Sequence, residues 1–161
     1  MSLPVSDADI ERIARGLIDR TLPKREWTHA AHFAAALWLL RDRGDAAFRD
    51  LPPAIRAYNE ATGVANTDTS GYHETITIAS LRVAREWLSG RPGLPLQAAL
   101  AELLASPCGR SDWPLVYWSR ERLFSVEARR AWADPDLRPF VFQRPAHLTA
   151  AGADKACRPC G

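Results

Sequence analysis

The chain has 161 residues, enough for one domain around one hydrophobic core. An apolar share of 47%, a charged share of 25% and a net charge of +2 fit an ordinary globular chain and leave out a disordered or fibrous one. Arginine carries nearly all the positive charge, but acids interrupt it throughout, so no basic footprint for nucleic acid stands out.

No run approaches the roughly 18 unbroken apolar residues that a membrane helix needs. Met1 to Arg20 lacks the basic-then-apolar order of a signal peptide. A cytoplasmic protein is expected, with no nucleic-acid or membrane partner and an oligomeric state left open.

The predicted elements are all helical. Ser6, with Asp9 three residues on, starts an amphipathic helix over 7–20, with Ile10, Ile13, Ala14, Leu17 and Ile18 on one face. The second helix has two candidate starts and ends before Gly44. Pro23 suits a first helical position and Thr28 suits an N-cap. From Ala30 to Leu40 it is apolar on nearly every side, which belongs at the centre of a fold.

Asp45 is placed to cap a short third helix ending near Pro52-Pro53. Those prolines then open another through Thr62, stopped by Gly63. Residues 65–71 read as a polar loop. A long helix follows from about Tyr72 to Ser89, with Tyr72, Ile76, Ala79, Val83 and Trp87 as its apolar stripe. Further helices are expected from Pro95 to Leu104, from Ser111 and Pro114 to Trp118, and from Ser125 to near Trp132. No strand-like alternation or repeat is present. The fold class is all-α, a single-domain bundle of roughly seven helices over residues 1–145, with an irregular tail over 146–161.

Three of the four histidines lie in two motifs. Histidine titrates near neutral pH, is the commonest metal ligand, and is costly to bury unpaired. In Glu26-x-x-His29-x-x-His32 the spacing makes a slanted ridge on a helix, each residue about 60° from the next. Helical bundles use Glu-x-x-His to bind iron or manganese. That ridge requires a helix starting at Pro23. With Thr28 as the cap, Glu26 falls outside the helix and His29 enters its first turn, where the dipole favours neutral imidazole.

The second motif is Tyr72-His73-Glu74-Thr75-Ile76-Thr77. His73 falls about 40° from the middle of its helix's apolar stripe. Thr77 and Ser80 follow on the same side, and Glu74 points away. Together the motifs nominate His29, His32, His73 and Thr77 as catalytic candidates, with Trp27 and Tyr72 lining a ligand site. His29, His32, His73 and Glu26 form a candidate set for a divalent transition metal (Fe, Zn or Mn). Glu60, Asp68 and Glu74 are further carboxylates that could complete such a shell. The competing reading makes each histidine a satisfied core group.

A third cluster runs from Trp113 to Arg122. Its aromatics read as core packing, while Arg120 or Arg122 is a candidate clamp for a substrate carboxylate or phosphate. Cys108 stands alone. Cys157-Arg158-Pro159-Cys160 has redox spacing without the strand-helix context of a thioredoxin-like site, and reads as inert.

At Trp27-Thr28-His29-x-x-His32, at Tyr72-His73-Glu74-Thr75-x-Thr77, and from Trp118-Ser119 through Trp132-x-Asp134-Pro135-Asp136-Leu137, the chain resembles an uncharacterised family of small bacterial proteins. The resemblance spans roughly residues 5–140 and carries no assigned activity. It implies a soluble bacterial protein. The function expected from the residues is a buried histidine-lined pocket for a small molecule. It serves either a metal-dependent or histidine acid/base enzyme, or a non-catalytic binding or sensor module.

Overall fold

Ten of the fifteen residues of helix α2 (His29–Arg43) are buried in the computed structural model, which describes residues 3–143. The run Phe33 to Leu40 has no polar face to offer water, so neighbours cover it on all sides. Helices α1 (Asp7–Asp19), α3 (Ala47–Ala61), α4 (Glu74–Leu88) and α5 (Leu96–Ala105) all pack against it. The alanines at 34, 35 and 36, each buried, let these helices approach α2 closely. Two short helices, α6 (Arg120–Leu123) and α7 (Val126–Arg130), and four single 3-10 turns complete an all-α fold with no strand among the described residues. The expected tail over 146–161, with Cys157 and Cys160, lies outside the described residues.

Most helix starts are fixed by short polar side chains. Ser6 accepts from the Asp9 amide at 3.1 Å, and its hydroxyl donates to the Asp9 carboxylate at 2.9 Å. Ser119 and Ser125 cap α6 and α7 in the same way, each through its hydroxyl oxygen. Helix α5 follows Pro95, which offers no such cap. Asp7, 90 residues earlier in sequence, supplies it instead, taking the Leu96 and Gln97 amides at 3.2 and 2.7 Å. The first turn of α1 thereby fixes where α5 begins.

The pair Pro52-Pro53 does not divide two helices. Both prolines lie inside α3. Each forfeits one backbone hydrogen bond and crowds the carbonyl four residues back. The helix continues because Leu51, Pro52, Ile55 and Tyr58 are buried along one side of it. Asp45 does not cap it either. It lies in the preceding 3-10 turn and pairs with Arg85 at 3.3 Å.

The segment after α7 is tied to α4 rather than loose. Thr75, fully buried, donates its hydroxyl to the Ala131 carbonyl at 2.9 Å and accepts the Ala133 amide at 3.0 Å. The Trp118 indole N–H donates to the Ala133 carbonyl at 2.9 Å. Trp113, Tyr117, Trp118, Trp132 and Phe140 form one aromatic cluster with ring centroids 5.0 to 6.3 Å apart. These rings are core packing, as the sequence indicated.

Candidate functional site

Thr28, not Pro23, starts α2. Its hydroxyl oxygen accepts the Ala31 amide at 3.2 Å. Glu26 therefore sits in the 3-10 turn Lys24–Glu26, outside the helix, and pairs with Arg12 at 2.8 Å. The ridge of Glu26, His29 and His32 does not form.

His29 and His32 leave α2 toward different spaces. His29 Nε2 bonds the Cys108 carbonyl at 2.9 Å. It lines a cleft of about 760 Å³ with Arg12, Glu26 and the N-terminal residues Leu3 to Val5. His32 lines a second cavity of about 380 Å³. That cavity lies between α2, α3, α4 and the loop before α4, with Trp27, Ile55, Asn59, Tyr72 and Thr77 among its walls.

The state of His32 follows from its partners. Nδ1 lies 2.8 Å from the Thr28 carbonyl oxygen, which can only accept, so Nδ1 carries the proton. In the neutral ring Nε2 is then a bare lone pair. Burial holds the ring neutral and lowers its pKa from 6.5 to about 4, against the opposing pull of the Thr28 carbonyl. The Trp27 indole covers one face of the ring, with centroids 3.8 Å apart and planes 30° apart. With Nδ1 tied back to the helix, Nε2 is the nitrogen left open on a ring that lines the cavity.

His73 takes a different role from the one its motif indicated. It precedes α4 as the N-cap: Nδ1 accepts the Ile76 amide at 3.3 Å. Nε2 carries the proton and donates to the Leu123 carbonyl at 2.8 Å. Both nitrogens are thus spent on backbone, so His73 has no lone pair for a metal or a proton. This corrects its assignment as a catalytic or metal-binding residue. Burial lowers its pKa as well, in part opposed by the Leu123 carbonyl.

The expected metal set is corrected with it. His32 and His73 line one cavity and His29 and Glu26 the other, so the four do not converge, and the described residues contain no group of three His, Cys, Asp or Glu side chains placed to hold an ion. The remaining carboxylates are engaged elsewhere. Asp68 holds Arg130 at 2.7 Å and Glu60 receives Asn66 at 3.4 Å. Glu74 takes the Tyr72 hydroxyl at 2.6 Å and lies 3.6 Å from Arg56, so it is not the outward-facing residue that the helical wheel indicated.

Tyr72 and Thr77 do reach the cavity that His32 lines. The Thr77 hydroxyl donates to the His73 carbonyl at 2.9 Å. Burial and the neighbouring Glu74 push the Tyr72 phenol well above its ordinary pKa. Arg56 covers the Tyr72 ring at 4.0 Å. Arg120 is exposed on the first turn of α6 and lines neither cavity, so it clamps no ligand there. Cys108 is buried, its thiol pushed up to about 11.

No family model matches the chain, and neither does any curated protein or solved structure. The site is accordingly defined by its own geometry.

Asn59 belongs to that geometry and sequence reasoning passed over it. It follows Leu51 and Ile55 at four-residue steps, on the buried side of α3. A carboxamide in that row was the available signal. Asn59 donates to Asn66 Oδ1 at 3.0 Å, which also accepts the Tyr72 amide at 3.0 Å. Gly71 has φ +75°, and a Cβ there would run into Ala65 and Asn66, so the loop passes tightly behind Tyr72 only because residue 71 is glycine. No helix among the described residues is long and apolar enough to cross a membrane.

Proposed function

We propose that this chain is a bacterial cytoplasmic protein that binds a small molecule in the cavity between α2, α3 and α4, with His32 as the hydrogen-bond acceptor that orients it. One observation carries the reading: Nδ1 of His32 is committed to the Thr28 carbonyl, which leaves Nε2 as the bare lone pair of a ring that lines an aromatic-walled cavity. The cavity, at about 380 Å³, falls within the size range of small-molecule sites. Trp27 on one side and Ile55 on another supply the apolar walls such sites have.

Binding is favoured over acid/base catalysis by the proton inventory. A ring with a pKa of about 4 is a weak base at neutral pH, far from the matched value that general-base catalysis favours. The Tyr72 and Thr77 protons are already given to Glu74 and to the His73 carbonyl. The motif resemblance to small bacterial proteins adds a setting and no activity.

A fragment screen followed by protein NMR tests the reading. Hits are expected to perturb Trp27, His32, Asn59 and Thr77 together, and His32→Leu is expected to weaken them while the helical circular dichroism is kept. Hits that gather instead in the cleft beside His29, or a screen without saturable hits, would overturn it.

A further inference from the structure

The polar groups of the His32 cavity are unusually one-sided, and that asymmetry names a ligand class. We propose that the occupant is an uncharged ring compound that donates hydrogen bonds through O–H or N–H, and that carboxylates and phosphates are rejected. This rests on the cavity being the binding site.

Three of the polar atoms on the wall can only accept from a ligand. His32 Nε2 bears no proton, because Nδ1 holds it against Thr28. The Tyr72 hydroxyl has given its proton to Glu74 at 2.6 Å, so its oxygen, which also meets the Thr77 hydroxyl, has only lone pairs to offer. The Thr77 hydroxyl has given its proton to the His73 carbonyl at 2.9 Å. Asn59 has given one amide proton to Asn66, and Ser80 retains a rotatable hydroxyl that serves either sense.

Charge points the same way. None of the lining residues is an arginine, lysine, aspartate or glutamate. Two described cations adjoin this wall from outside and both are engaged: Arg56 lies over the Tyr72 ring and beside Glu74, and Arg129 donates to the Gly71 and Tyr72 carbonyls at 3.3 and 3.2 Å. An anion entering the cavity would lose its hydration and find no charged partner on the lining, only the second Asn59 N–H and the Ser80 hydroxyl as donors, which is the costly case for burying a charge. A donor-bearing ring loses less and regains its hydrogen bonds at His32, Tyr72 or Thr77. The Trp27 indole, stacked on His32, extends the flat surface against which such a ring would lie.

Three matched probes test this on the unmodified protein: 2-naphthol, its methyl ether 2-methoxynaphthalene, and 2-naphthoate. They share one bicyclic body and differ in donor and charge. NMR titration at neutral pH is expected to give saturable binding of 2-naphthol with the largest change at His32 Nε2. The methyl ether, which has lost the donor, should bind roughly tenfold more weakly. The naphthoate should give no saturable shift at the cavity. Equal affinity of naphthol and its ether, or tightest binding of the naphthoate, overturns the donor-ligand proposal while leaving the cavity as a binding site. Absence of any shift at Trp27, His32 and Thr77 with all three probes overturns the binding site itself and this inference with it. In His32→Leu the preference of naphthol over its ether should shrink toward unity. Retention of the full preference there would also count against the proposal.

Discussion

The Trp27 indole lies over the His32 imidazole with ring centroids 3.8 Å apart, while the Thr28 carbonyl between them in sequence takes the His32 Nδ1 proton at 2.8 Å. The six residues from Trp27 to His32 at the start of α2 therefore fix the ring's plane, its tautomer and its burial together. Those three properties lead to different measurements.

The pH dependence of stability reads the burial. The folded value for His32, about 4, lies below its ordinary value of 6.5, so between those limits the unfolded chain binds the proton more tightly. Stability contributed by the neutral ring is present above pH 6.5 and is lost as pH falls toward 4. The full loss, reached below pH 4, is on the order of 3 kcal/mol. His73 is lowered too, so it adds in the same direction. Urea unfolding at steps from pH 7 to pH 4 should show stability falling with pH, and His32→Asn should flatten part of the slope. A flat wild-type profile over that window contradicts the burial.

His73 is predicted to be structural. Replacing it by alanine strands the Ile76 amide and the Leu123 carbonyl, at a cost of about 2 to 4 kcal/mol. His73→Asn keeps a capping oxygen and loses only the tie to α6, so it should cost about half as much. Chemical denaturation of the two variants checks the order. Equal losses, or none, would place the weight of His73 elsewhere.

Much of this could be read in the sequence and some could not. The apolar run of α2 marked the central helix, and Ser6 and Ser125 marked helix starts that the structure keeps. Trp27, His32, Tyr72 and Thr77 do share one cavity. His29 was misplaced because a three-residue step on a helix still turns the side chain by about 60°. On a helix buried all round, that turn is enough to reach another space. The capping role of His73 was hidden because serine, threonine, asparagine and aspartate usually hold that position. The α3 prolines misled because buried neighbours outweighed a local break. Helix α6 was missed because four residues carry too little periodicity to register.

Thr75 supplies a test of how the C-terminal segment is held. Thr75→Val keeps the shape but removes both the bond to the Ala131 carbonyl and the acceptor for the Ala133 amide. The cost should be about 2 to 3 kcal/mol, since two buried backbone groups lose their partner. Hydrogen exchange should show the Ala133 amide losing protection first. If that amide stays protected in the variant, the Thr75 clamp is not what holds the segment.

All three tyrosines are predicted to resist ionisation. Burial raises each of Tyr58, Tyr72 and Tyr117, and for Tyr72 the neighbouring Glu74 adds to it. The phenolate absorbance of the native protein should stay low through pH 10 and rise together with unfolding at higher pH. A native-state phenolate step near pH 10 would mean that at least one ring is open to water. Tyr72→Phe should leave the helices intact and release Glu74 from its 2.6 Å partner.

The tautomer of His32 is the centre of the account and can be observed directly. Long-range proton–nitrogen correlation spectra of the imidazole, recorded from pH 7 down to pH 4, distinguish the protonated from the bare ring nitrogen. The result predicted is a proton on Nδ1, a bare Nε2 at neutral pH, and a titration midpoint far below 6.5, near 4. A proton on Nε2, or a midpoint at or above 6.5, would leave the cavity without its acceptor and contradict the binding role assigned to it.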